Sequence, residues 1–138
     1  MANHRIPPKP PHYDTAAIGF CRVCGKVILN KKGLPSKRAR WHRDCLTAYK
    51  IETRPGDARK AVYRRDHGIC CDCGVDCGKK NWDLDHDIPL IENHSDISAW
   101  QLPNLKTRCK PCHKIKTAKE ATARAFRRAY FKSTKSPD

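Results

Sequence analysis

Three Cys-x-x-Cys pairs, Cys21/Cys24, Cys70/Cys73 and Cys109/Cys112, together with His42-x-x-Cys45, constrain this chain more than any other feature. Each pair sets two ligand atoms on one tight turn facing the same point, as a metal ion needs and a disulfide between distant segments does not. Taken in chain order they form two four-ligand sets, Cys21, Cys24, His42, Cys45 and Cys70, Cys73, Cys109, Cys112, and predict two structural Zn2+ ions. The staples are needed. With 138 residues, 38% hydrophobic and 31% charged, there is room for one ordinary domain or two very small ones, and little apolar surface for a core. Gly25 after Cys24 and Gly74 after Cys73 let both first knuckles turn tightly, which favours Cys73 over Cys71 as the ligand. Cys71 and Cys77 then remain as plain thiols, with Cys77 replacing one ligand as the open alternative.

Lys and Arg number 29 against 14 Asp and Glu, a net charge of +15, which calls for an acidic partner. Nucleic acid is the expected one, and membrane attachment is not, because no segment joins the basic residues to a continuous apolar face. Thiolate-bound metal and the lack of a signal peptide or membrane-length apolar run lead to the expectation of a soluble protein in the reducing cytoplasm.

Four stretches follow. Residues 1–17, with Pro7, Pro8, Pro10 and Pro11, read as an extended mobile arm in which His4 and His12 are bystanders. Residues 18–52 read as a zinc finger presenting Lys31, Lys32, Lys37, Arg38 and Arg40 to phosphate. Residues 53–132 form the main domain and 133–138 a frayed tail. Helices are predicted at Leu46–Ile51 and Asp57–His67, broken by Arg54-Pro55-Gly56, with Arg59, Lys60 and Arg64 in solvent. A final helix over Lys114–Lys132 carries Lys116, Lys119, Arg124, Arg127 and Arg128 as a DNA-binding surface, and Phe126 and Tyr130 as a packing anchor.

Between the second pair of knuckles, Trp82, Leu84 and His86 alternate with Asp83, Asp85 and Asp87, a period-two strand ended by Pro89. Carboxylates hinder phosphate binding unless they hold a cation, which makes Asp85 a candidate ligand for a hard divalent ion. The stretches RRDHGICCDCG, LDHDIPL and LPNLKTRCKPCHKIKT, within residues 58 to 120, resemble the HNH endonuclease family in its zinc-stapled form. The finger ahead of them resembles, more weakly, small zinc modules placed before such nucleases. The resemblance implies a small α+β fold, a two-stranded ribbon and a helix around a metal. It also implies His86 as general base, Asn104 as the central asparagine of the site, Asp85 and His113 as ligands of the catalytic cation, and DNA products with 3′-hydroxyl and 5′-phosphate ends. One departure is Glu92-Asn93-His94-Ser95 where family members often carry a glycine pair, so Ile91–Pro103 is expected to have its own conformation.

The chemistry agrees with these assignments. Neutral imidazole, with an ordinary pKa near 6.5, can take a proton from water. Asp85 and His113 suit Mg2+ or Mn2+, with Zn2+ or Ni2+ as softer alternatives. Asn104 or nearby backbone would fix the tautomer of His86. Having both Asp85 and His86 in the site requires a twist or the ribbon's edge, since neighbours in a strand face opposite ways. One such site per monomer nicks one strand. The rival expectation is a non-catalytic zinc module that binds nucleic acid, and RNA remains open as a substrate.

Overall fold

The computed structural model describes residues 5–135; His4 and positions 136–138 of the expected tail lie outside the described residues. The chain is a small α+β protein with four helices and one two-stranded sheet among these residues. Helices α1 (Arg43–Thr53) and α2 (Pro55–Asp66) lead into strand β1 (Asp83–His86). A short helix α3 (Leu90–Asn93) and two 3-10 turns (Ile97–Trp100 and Leu102–Asn104) then return the chain to strand β2 (Leu105–Arg108), and α4 (Lys110–Thr134) follows.

The helix boundaries differ from expectation for local reasons. Pro55, expected to break the chain, opens α2 at its first position, where proline lacks only an N–H that would be unpaired anyway. The break is confined to extended Arg54. Helices α1 and α4 start earlier than periodicity suggested, at Arg43 and Lys110, because His42 and Cys109 occupy their N-caps. The carbonyls of both residues accept the first helical hydrogen bonds, from Leu46 and His113 respectively. Each helix therefore begins on a zinc knuckle, with the second ligand, Cys45 or Cys112, in its first turn.

Antiparallel pairing sets Asp83 opposite Arg108, Leu84 opposite Thr107, Asp85 opposite Lys106 and His86 opposite Leu105. One face of the ribbon joins Ala58 and Val62 of α2 in the core with Trp82 and Leu105, and Leu84, Ile51 and Leu102 pack around them. The other face carries the acidic residues towards α4. Arg59, expected in solvent, lays its guanidinium 3.8 Å from the centre of the Trp82 ring and donates to the Lys80 and Trp82 carbonyls. It thereby shields the buried indole's outer face.

Two further expectations are corrected. The proline-rich arm is not extended: it turns at Pro10–Tyr13, with Pro10 buried, and Tyr13 packs edge-on against Trp41, which stacks on Tyr49. His12 lies against Gly25, where a Cβ would stand 2.8 Å from its ring; together with φ of +74° this reserves the position for glycine. Phe126 and Tyr130 do not form a packing anchor, being 73% and 58% exposed, although Arg127 between them pairs with Glu92 of α3. Helical periodicity identifies a face but not whether anything covers it.

Candidate functional site

Both ligand sets assemble. Cys21, Cys24, His42 and Cys45 bring their ligand atoms within 4.8 Å of one another, as do Cys70, Cys73, Cys109 and Cys112, and both clusters could hold zinc. Spacings within them suit a tetrahedral ion. Sulfurs bound at about 2.3 Å lie about 3.8 Å apart, and Cys73 and Cys109 Sγ are 3.7 Å apart. His42 turns Nδ1 to Cys24 Sγ at 3.3 Å while Nε2 lies 3.1 Å from the Val27 carbonyl, a hydrogen bond that fixes Nδ1 as the lone-pair nitrogen. Burial opposes ionisation of Cys21 and Cys70, but backbone N–H donors of Cys24, His42 and Val23, and of Cys73, Cys109 and Asp72, outweigh it and bring both thiols down to about 6. In the same clusters the shift is opposite elsewhere: burial and the neighbouring Cys21 and Cys24 raise Cys45 to about 12, and contact with Cys109 together with burial raises Cys112, so the lowered thiol in each set has neighbours shifted the other way.

Cys71 and Cys77 stay outside the clusters. Cys71 reaches Asp72 Oδ1 and Cys77 the Val75 carbonyl, and burial raises the pKa of both, so neither is poised as a thiolate. His94 also joins neither set. Its carbonyl accepts from Trp100 Nε1 at 3.0 Å, and its Nδ1 is buried without a partner.

The second zinc cluster places the residues expected to do chemistry. Because Cys109 caps α4 and Cys112 lies in its first turn, His113 is held beside β1. Its Nδ1 lies 2.9 Å from Asp83 Oδ2 and its Nε2 3.5 Å from Asp85 Oδ1. Asp83 thus orients the ring so that Nε2 and Asp85 Oδ1 converge, and neighbouring ligands of a cation bound at about 2.1 Å stand about 3.0 to 3.4 Å apart. The observed 3.5 Å lies just beyond that range, and among the described residues the pair belongs to no cluster of three or more metal-ligating groups. Asp85 Oδ2 is already engaged, by Arg108 Nη1 at 2.6 Å and Lys116 Nζ at 3.0 Å.

Two expected roles change. Lys116, read as part of the exposed DNA-binding surface, is half-buried in the site, donating to the His86 carbonyl at 3.2 Å and pairing with Asp85 and Glu120. Asn104 does not orient His86. Its Oδ1 accepts from Ile88 N, and its Nδ2 donates to the Ile88 and Ala99 carbonyls, so the side chain ties the two ends of the loop together. Of the other basic residues assigned to DNA, Arg127 pairs with Glu92, while Lys119 and Arg128 are exposed and Arg124 is partly so.

His86 lies on the opposite strand face from Asp85, edge-on to Trp100 with ring centres 5.8 Å apart. Burial holds its pKa below the ordinary histidine value, with Asp85 opposing and Lys116 reinforcing the shift, so the imidazole is neutral and ready to accept a proton. His86 and His113 both line one cavity of about 510 Å³.

The sequence reading missed Arg108. It is 6% exposed and binds three carboxylates at once, Asp72 through Nε, Asp85 through Nη1 and Asp87 through Nη2. Asp72 sits between two zinc ligands and Arg108 precedes another, so this cluster couples the zinc knuckles to the acidic strand. The position directly before Cys109 was the available signal. Comparison with protein-family models, with curated proteins and with solved structures finds no match. No helix among the described residues is long and apolar enough to cross a membrane.

Proposed function

We propose that this protein is a zinc-stapled endonuclease of the HNH type that hydrolyses DNA phosphodiester bonds with a divalent cation. One observation carries this reading: His113, oriented by Asp83 at 2.9 Å, converges with Asp85 Oδ1 at 3.5 Å beside a neutral, partly buried His86.

Asp85 and His113 would hold Mg2+ or Mn2+, which supplies Lewis-acid stabilisation of the phosphate oxygens when bound. His86 takes the proton of the attacking water, and its depressed pKa keeps it in the accepting form at neutral pH. Asn104 fixes the loop that carries Trp100 against His86. Lys116 bridges the two faces of β1, touching the His86 carbonyl and the Asp85 carboxylate. The net charge of +15 supplies the attraction for a polyanion, with Lys119, Arg124 and Arg128 along α4 as contacts. By the family resemblance the products carry 3′-hydroxyl and 5′-phosphate ends, and a monomer nicks.

A second reading is favoured by one specific observation. Arg108 and Lys116 already neutralise Asp85, as they would in a binding module that never takes a second metal. Nicking of supercoiled plasmid with Mg2+ or Mn2+ separates the two: wild type converts plasmid to open circles and His86→Ala does not. Equal nicking by both proteins removes His86 as base, and none by either leaves the binding module.

A further inference from the structure

Beside His86 and His113, the cavity of about 510 Å³ runs inward between α1, α2 and the ribbon. Ile51, Ala58, Leu84, Trp100 and Leu105 give it apolar walls, and Glu52, only 7% exposed, supplies a carboxylate. One Glu52 oxygen accepts from Gln101 Nε2 at 3.2 Å. Such a space is unnecessary for phosphodiester hydrolysis, which needs water, a cation and a phosphate. What distinguishes it from the other grooves of the surface is the buried Glu52 carboxyl and the Trp100 ring on its lining.

Its position restricts the occupant. A phosphate held by His86 and His113, which both line the cavity, would bring its nucleoside to the same space. The chemistry of the walls suits a nucleotide: apolar surface with an aromatic side chain for a base, the buried Glu52 carboxyl for an exocyclic amino group, and Arg5 and Arg59 on the lining to attract a polyanion. A paired base cannot enter without leaving the helix.

We propose that this cavity takes one unpaired nucleobase next to the scissile phosphate, so that the preferred substrate is DNA with an unpaired nucleotide rather than continuous duplex. The proposal rests on the nuclease reading for the location of the phosphate, but its test does not require cleavage. Binding is measured by fluorescence anisotropy without added divalent cation, on three labelled duplexes: fully paired, with a single bulged nucleotide, and with an abasic residue as the bulge. Wild type should bind the bulged duplex about tenfold tighter than the other two. Thr53→Trp, which places an indole into the cavity from a partly exposed position at the end of α1, should abolish the difference, with zinc content and circular dichroism confirming the fold. Equal binding of bulged and abasic duplexes by wild type overturns the proposal, since it means recognition of a bend. So does a preference that survives Thr53→Trp. Failure of the wild type to nick with Mg2+ or Mn2+, alongside a base-dependent preference, would instead count against the nuclease reading alone.

Discussion

Replacing Arg108 by Met removes the cation that joins three carboxylates while keeping most of the side-chain volume. The three contacts are unequal. Asp72 and Asp87 side chains are 44% and 47% exposed, so water stabilises them when the partner is lost, and each contact contributes under about 1 kcal/mol. Asp85 is 11% exposed and meets Arg108 at 2.6 Å. Unit charges about 4 Å apart at an effective dielectric constant of 20 interact by about 4 kcal/mol, and Lys116, remaining at 3.0 Å from Asp85, offsets part of the loss. The expected destabilisation is about 3 kcal/mol, consistent with breaking one side of a buried pair. Urea unfolding at pH 7, on protein verified to carry zinc, measures it. Asp72→Asn and Asp87→Asn should each cost under about 1 kcal/mol. The double variant Asp85→Asn/Arg108→Met should recover much of the single loss, because no buried charge is left unpaired. A loss below about 1 kcal/mol for Arg108→Met, or a double variant no better than the single, would refute the assignment of the cost to Asp85.

Four further outcomes follow from the same geometry. Elemental analysis should give two zinc ions per chain, and Cys112→Ser should lower the count and release His113 from β1, seen as loss of ordered ribbon signals by NMR. Asp83→Asn should weaken Mn2+ binding about 10- to 100-fold by calorimetry, while zinc stays at two. Burial raises the Glu52 pKa above 4.5, so the folded state holds that proton more tightly than the unfolded chain, and its stabilisation is complete below about 4.5 and lost as pH rises through the folded value. Glu52→Gln does not titrate, so its melting temperature relative to wild type should climb from pH 4.5 towards 7; a constant difference would contradict the assigned burial. Arg124→Ala/Arg128→Ala should reduce the salt dependence of DNA binding by about one unit of slope for each residue that contacts phosphate.

What could be read from the sequence was local. A two-residue gap between ligands dictates the turn that brings them together, and both four-residue clusters that could hold zinc came together as the spacing required. The helical starts were legible in principle too, since a knuckle that ends in a helix N-cap fixes the next turn, yet hydrophobic periodicity alone set them late. Partnership between distant segments was not legible. Lys116 was grouped with exposed cations because its helical position resembles theirs, whereas the site lies against only the first turns of α4. Asn104 looked like a partner for His86, and only the folded loop reveals that Ile88 and Ala99 claim its amide. The cavity needs α1, α2 and the ribbon together, so no window of sequence contains it.

The acidic strand carries the sharpest lesson about parity. Asp83 and Asp85 share a face, so one can orient His113 while the other converges on its free nitrogen. His86, one residue on, must then face away from them, which made a common site look doubtful. The strand ends at His86, however, and His113 comes from α4 beside Asp83, so the two histidines and Asp83 border one cavity while Asp85 pairs with Arg108 and Lys116. On the proposed nuclease reading, a phosphate bound here would lie between His86 and the Asp85–His113 pair. Moving the acidic residue by one position would break that division: an aspartate at position 84 would replace an apolar side chain packed against Ala58, Val62, Trp82 and Leu105 and would leave the face that meets His113.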